Sequence, residues 1–421
     1  MAQIFPFQGL RYNTRTVKNT AKVFAPPYDV ISPAHQQALY RRHPQNIVRL
    51  ILGKIQPGDD RDNNRYSRAK RLLEQWIKKN ILAFDELPSL YVYSQNYIVD
   101  GRRKERVGFI GRLQLDDAGG CLPHEKTLAK PKEDRLQLIR QVRANLSPIF
   151  SFYLDPQRRV SKLVSGCMNR RPLYEVIDEE HVRHRFWSLS DPAVISRIQT
   201  LMRDKQIFIA DGHHRYEVAN TFRKEMLATG YSGKEAYTYV MMYFTEFSES
   251  NLCVQPTHRL VRSFPQLKKK LGALAELFAF QRVKSLAQLT KLQRACRGFS
   301  VGMYQDGVFS LLRMKDPAQL SRLMNKAPSL WRDLDVAILN TVVFEHVFGL
   351  DEARREEYIV YTRDPAEAIR EVERGKFKVA FLLNPTKPQQ VKDIALAGMR
   401  MPQKSTYFYP KPLSGLVINK F

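Results

Sequence analysis

Asp211-Gly212-His213-His214-Arg215 stands between two apolar stretches of different period. Ile207-Phe208-Ile209-Ala210 is a continuous apolar run, short enough for a buried strand. Ala219, Phe222 and Met226 recur at i, i+3 and i+7, the spacing of one helix face. The pattern predicts a strand that turns directly into a helix. Gly212 at the turn lets the backbone approach a ligand closely. The first N–H groups of the helix and the positive end of its dipole favour an anion there. Arg215 adds a planar fork for phosphate oxygens, and His213 and His214 add donors. Asp211 is placed to face a magnesium ion. The chemistry expected of these five residues is the binding of a polyphosphate.

A second polar group is Leu122-Pro123-His124-Glu125-Lys126-Thr127. A glutamate in such a loop is a candidate general base, with His124 beside it to orient a hydroxyl or a phosphate. Zinc is disfavoured. Adjacent histidines rarely aim at one metal, and His124-Glu125 lacks the second histidine of H-E-x-x-H, because position 128 is Leu128. Three further segments are rich in polar groups: Ala144-Asn145-Leu146-Ser147-Pro148, Gln255-Pro256-Thr257-His258-Arg259, and the lysine-, hydroxyl- and aromatic-rich run from Met401 to Lys411. From them and the preceding arginine, Arg143, Asn145, Ser147, His258, Arg259, Lys404, Ser405 and Thr406 are the expected substrate contacts. Lys404 or Arg143 would meet a carboxylate, and Ser405 would add a hydrogen bond.

The elements that must position these residues are legible in outline. Ser32-Pro33 pairs a good cap with a first-turn proline, so a helix is expected from about residue 33. Leu72, Leu73 and Trp76 mark another over about 65–79, and Leu136, Leu138 and Ile139 a third over 130–145. Leu90–Tyr93, Val107–Ile110, Tyr237–Tyr243 and Val379–Leu383 read as strands. The fold class expected is α/β (α+β), divided into an N-terminal α/β region 1–115, a core 116–262 and a C-terminal α/β region 263–421. No repeat or low-complexity tract is visible.

Composition narrows the function classes. An apolar content of 43% suits a globular chain, and no run of about 18 apolar residues exists to cross a membrane. The first residues lack a charged start followed by a long apolar stretch, so no secretory signal is expected. Cys121, Cys167, Cys253 and Cys296 are far apart and form no C-x-x-C pair, which argues for reduced thiols and a cytoplasmic protein. The net charge of +26, from 68 Lys+Arg against 42 Asp+Glu, attracts polyanions: nucleotides, acidic metabolites or nucleic acid. The charge is spread along the chain, and no helix-turn-helix or zinc-finger signature accompanies it.

The chain resembles, over essentially its whole length, a bacterial and archaeal family catalogued as a domain of unknown function, number 1015. The matching stretches are 25–32 (Ala25-Pro26-Pro27-Tyr28-Asp29-Val30-Ile31-Ser32), 46–50, 123–127, 143–150, 210–216, 256–259 and 404–411. A narrower resemblance joins Pro123-His124-Glu125 to Asp211-Gly212-His213-His214-Arg215, a pairing similar to the core of free-serine kinases in the ParB/sulfiredoxin superfamily. It implies a ParB/sulfiredoxin-like core, ATP or ADP as phosphate donor, Mg²⁺, Glu125 in catalysis and Asp211 to Arg215 on the nucleotide phosphates. The partners implied are a nucleotide and a small hydroxylated metabolite, with free L-serine as acceptor and O-phosphoserine as product. Here 86 residues separate Glu125 from Asp211 (211 − 125), more than such a core needs, so 150–205 is expected to be an insertion. ParB-type cores also bind nucleotide while gripping DNA, and that is the alternative reading. A sulfiredoxin-like repair activity would need a cysteine in the turn, where this chain has His213.

Overall fold

The computed structural model describes residues 2–116, 120–127, 129–231, 235–248 and 252–421. Leu128 lies outside the described residues. The chain forms two compact units. The first comprises Met1–Pro123, Thr127–Leu252 and Pro410–Phe421, and the second His124–Lys126 and Cys253–Tyr409.

The first unit is built on a nine-stranded mixed sheet of β1 (Ile4–Phe5), β2 (Leu90–Val99), β3 (Arg102–Gln114), β4 (Cys121–Leu122), β5 (Ile149–Tyr153), β6 (Tyr174–Ile177), β7 (Arg183–Leu189), β8 (Ile207–Asp211) and β9 (Tyr239–Glu246). Its order is β4-β8-β5-β9-β3-β2-β7-β6, with β1 paired to β3. β8 runs parallel to β4, and β9 runs parallel to β5; the other pairs are antiparallel. The central strands read as near-continuous apolar runs because both faces are covered. Val92, Phe109, Ile149, Ile209 and Phe244 meet in one cluster.

Helices of the first unit form where caps and apolar stripes allow. In α1 (Pro33–Arg42), the Ser32 hydroxyl accepts from the His35 N–H. α2 (Arg65–Lys78) starts in a capping box of Asn64 with Ser67 and buries Ala69, Leu73 and Trp76 at i, i+4 and i+7. α3 (Ala129–Val142) ends earlier than the leucine spacing predicts, because Arg143 turns into the left-handed region at φ +49°. The chain then forms a short strand, Ala144–Asn145, against Asn419–Lys420. α4 (His213–Ala228) lays Val218, Phe222 and Met226 on Leu136 and Ile139 of α3. The strand expected from Tyr237 begins at Tyr239, since 236–238 close a 3₁₀ turn first.

The second unit has a six-stranded antiparallel sheet: β10 (His258–Val261), β11 (Phe278–Val283), β12 (Ser300–Gln305), β13 (Val308–Met314), β14 (Ile359–Thr362) and β15 (Val379–Leu382), in the order β11-β13-β12-β15-β10-β14. Leu260, Leu289, Tyr304, Leu311 and Ala380 form its core. The fold is mixed α/β. All four cysteines are free. No helix among the described residues is long and apolar enough to cross a membrane.

Candidate functional site

β8 runs into α4 through Asp211 and Gly212, as the sequence pattern requires. The pairing of β8 with β5 slips between Ile209 and Asp211, an irregularity that re-aims the last residue of the strand. Gly212 has φ +99°, and a Cβ there would stand 2.9 Å from Arg215 Nη2. Only glycine gives both the turn and room for the guanidinium folded back over it. Arg215 donates from Nη2 to Asp211 Oδ2 at 2.8 Å and from Nη1 to the Pro148 carbonyl. Lys411 Nζ donates to the second Asp211 oxygen and to Asp29.

The result is a neutral four-charge cluster: Asp29, Asp211, Arg215 and Lys411. Lys411 is its most enclosed member, with a side chain 7% exposed. Three separate stretches of sequence converge here: the Pro-Pro-Tyr-Asp turn, the strand exit and the Pro410-Lys411-Pro412 segment. The lysine's backbone is pinned in turn. Arg106, fully buried and 4.3 Å from the Phe150 ring centroid, donates to the Pro410 carbonyl, and Gln95 Nε2 donates to the Lys411 carbonyl at 3.1 Å. Gln95 and Arg106 are direct partners across β2 and β3.

Beside the cluster lies a cavity of about 60 Å³ whose lining includes Tyr28, Arg135, Asn145, Ser147 and Arg215. That is room for a few water-sized groups. The Arg135 guanidinium sits 4.0 Å from the Tyr28 ring centroid. Burial pushes the Tyr28 phenol up to about 12, with Asp29 acting in the same direction. Two expected substrate contacts are engaged by the protein itself. Asn145 Oδ1 accepts from the Met241 N–H at 3.0 Å, and the Ser147 and Ser414 hydroxyls are 2.7 Å apart. His213 is buried and His214 half-buried in the first turn of α4. Arg143 lines a different cavity, with Lys70 and Lys420.

The other expected residues belong to the second unit, where the structure gathers them around the 124–126 loop. Glu125 Oε1 accepts the Lys404 N–H at 3.1 Å, and the Met401 N–H donates to the His124 carbonyl at 2.6 Å. His124 is buried, with Nε2 3.1 Å from the Thr406 hydroxyl. Arg259 donates to the carbonyls of Thr257 and Lys404. Burial pulls its guanidinium down to about 10, while Tyr361 and Glu125 favour its charged form. Burial, then Arg259, pulls His258 down to about 4, and its Nδ1 accepts the Leu383 N–H at 3.2 Å. Ser405 donates to the Pro402 carbonyl. The Lys404 side chain is exposed, and its backbone adopts φ +56°.

Sequence reasoning does not select Tyr28, Asp29, Arg135 or Lys411 as ligand contacts. The available signals were a charged residue after Pro-Pro-Tyr and a lysine held between two prolines. Among the described residues no group of three or more His, Cys, Asp or Glu could hold a metal ion. The donor set still fits magnesium, which is commonly held by one or two carboxylates together with substrate phosphates. Asp29 and Asp211 are such a pair, and Lys411 now supplies their countercharge.

The family model described as "Protein of unknown function (DUF1015)" matches residues 4–337. The chain belongs to the DUF1015 family. No curated protein matches this DUF1015 member. Among solved structures it is similar to a conserved hypothetical protein from Pyrococcus furiosus, with 12% identity, 71% of this chain and 91% of that chain covered, and a TM-score of 0.37. A free serine kinase in complex with AMP shares 11% identity over 71% of this chain and 88% of that one, with a TM-score of 0.35. SbnI with C-terminal truncation from Staphylococcus aureus shares 10% identity over 73% of this chain and 86% of that one, also at 0.35.

Proposed function

We propose that this DUF1015 protein is a nucleotide-dependent phosphotransferase that phosphorylates a small hydroxylated metabolite. The observation that carries the reading is the turn at 211–215, where Arg215, Lys411 and the start of a 16-residue helix converge on two carboxylates. Phosphoryl transfer asks a protein mainly for positioning and charge neutralisation, and fixed cations at a helix N-terminus supply both. Arg215 and Lys411 would hold phosphate oxygens and counter the charge moving to the leaving group. Magnesium entering with the nucleotide would be held by Asp211 and Asp29, and it would offset charge on the phosphates.

Glu125 is proposed as the base that accepts the proton of the acceptor hydroxyl, with His124 and Thr406 setting its surroundings. That role, the ParB/sulfiredoxin-like core, ATP or ADP as donor and free L-serine as first acceptor rest on the resemblance of the two sequence motifs. The test is donor consumption by purified protein with ATP or ADP and Mg²⁺ against a panel of hydroxylated amino acids, sugars and polyols. Consumption with one acceptor is expected. No consumption with any acceptor, in folded protein, would remove the kinase reading.

The charge of +26 favours a second reading, nucleotide-dependent DNA binding. It predicts tight, nucleotide-dependent binding to duplex DNA near physiological salt, without turnover of a metabolite.

A further inference from the structure

A second concave surface of the first unit has chemistry of its own. The C-terminal end of α3, the face of α2 that packs on it and the strand at Asn419–Lys420 enclose a cavity of about 330 Å³ lined by Lys70, Glu74, Arg140, Arg143 and Lys420. Four of those five charged residues are cationic. Arg140 is already paired, at 2.6 Å, with Glu225. Lys70 and Arg143 have no side-chain carboxylate within ion-pair distance among the described residues, Lys420 Nζ donates to the Phe421 oxygen at 3.1 Å, and Glu74 is the one acid named on the lining. Cations near a helix C-terminus gain a little from its dipole, which accounts for one or two of them, but not for three converging on one hollow.

Arg143 adds an independent sign. It ends α3 at φ +49°, a position where glycine or asparagine is the ordinary occupant and a longer side chain is strained. The guanidinium held there meets Met226 Sδ and the Arg140 carbonyl, both at 3.3 Å, and stands 5.3 Å from the Phe222 ring centroid, but meets no carboxylate. Lys420 Nζ donates to the Arg143 carbonyl at 3.2 Å. Burial lowers the Lys420 ammonium and Arg143 lowers it further; Glu74 opposes this, and Lys70 adds a smaller lowering. A guanidinium fork with two ammonium groups matches a tetrahedral anion with several charged oxygens.

We propose that this cavity is a binding site for a phosphorylated small molecule, held by Arg143, Lys70 and Lys420. The site is distinct from the 211–215 turn and does not depend on the kinase reading. An anion bound here would grip the residue that begins the 143–148 segment, whose Pro148 carbonyl holds Arg215.

The test is calorimetric titration of the full chain with pyrophosphate, without metal and at low salt, in an Arg215→Ala background that weakens the turn. One pyrophosphate per chain is expected, with affinity falling tenfold or more on Arg143→Gly. Glycine suits the positive φ, so this variant should fold at least as well without ligand. Lys70→Ala, at an exposed helix position, should weaken binding in the same direction and guards against any effect of Arg143→Gly on folding. Affinity unmoved by either substitution, no heat at millimolar pyrophosphate, or citrate bound as tightly as pyrophosphate would each overturn the assignment.

Discussion

Two lysines seven positions apart (411 − 404) show how differently the two motif regions are made. Lys411, in the first unit, uses its ammonium: it is enclosed and bridges Asp29 and Asp211. Lys404, in the second, uses its backbone. Its N–H goes to Glu125, its carbonyl accepts from Arg259, and its side chain is exposed. The Asp211 region is therefore a set of mutually compensating charges. The bonds described around Glu125 are largely side chain to main chain. The first should respond to any change in charge, and the second to changes that disturb the loop or remove the carboxylate.

The largest expected effect is Lys411→Met. It leaves the part-buried Asp211 and the exposed Asp29 without their shared cation, at a cost of about 3 kcal/mol in a denaturant titration, the low end for breaking a buried pair. Lys404→Met should stay within about 0.5 kcal/mol of the parent, because no described bond uses that side chain. Equal effects of the two substitutions would erase the contrast.

The second unit has its own titration. His258 is lowered from 6.5 to about 4, so between these values the unfolded chain binds more protons than the folded one. The stabilisation is complete above pH 6.5 and is lost as pH falls toward 4, by at most about 3 kcal/mol. His258→Asn, which keeps an acceptor for the Leu383 N–H, should flatten that slope. An unchanged slope would place the pH sensitivity elsewhere.

Glu125→Gln sharpens the comparison further, since the amide oxygen can still accept the Lys404 N–H. Turnover should fall about 10²-fold with nucleotide affinity unchanged. Near-normal turnover would take Glu125 out of the mechanism. A somewhat smaller loss is expected of Arg215→Ala, which should weaken nucleotide binding by about 2 kcal/mol in calorimetry. Lost thermal stability with intact affinity would make Arg215 a purely structural brace between Asp211 and Pro148.

Much of the local architecture was legible because it rests on near neighbours. Gly212 between an apolar run and a 3.6-residue stripe predicts the turn, and Ser32-Pro33 and the Leu72-Leu73-Trp76 spacing predict helices that form. The cluster itself was not legible. Lys411 matters because folding brings it to residues 382 and 200 positions away, and its two flanking prolines, which Lys404 lacks, do not say which carboxylates it will meet. Arg106 reads as one more charge in Arg102-Arg103-Lys104-Glu105-Arg106, yet strand alternation turns it into the interior, where Gln95 and Pro410 satisfy it. The early end of α3 was hidden for a related reason: an arginine gives no sign of a left-handed backbone.

The central claim is that the Asp211–Arg215 turn serves phosphoryl transfer to a small hydroxyl compound. The most direct measurement is phosphorus NMR of purified protein with Mg²⁺ and ATP, or ADP, over the acceptor panel, with Arg215→Ala as control. A new phosphate ester with one acceptor, L-serine first, is expected, with loss of that signal in the control. A folded protein that forms no ester with any acceptor, or forms it equally well without Arg215, would contradict the claim.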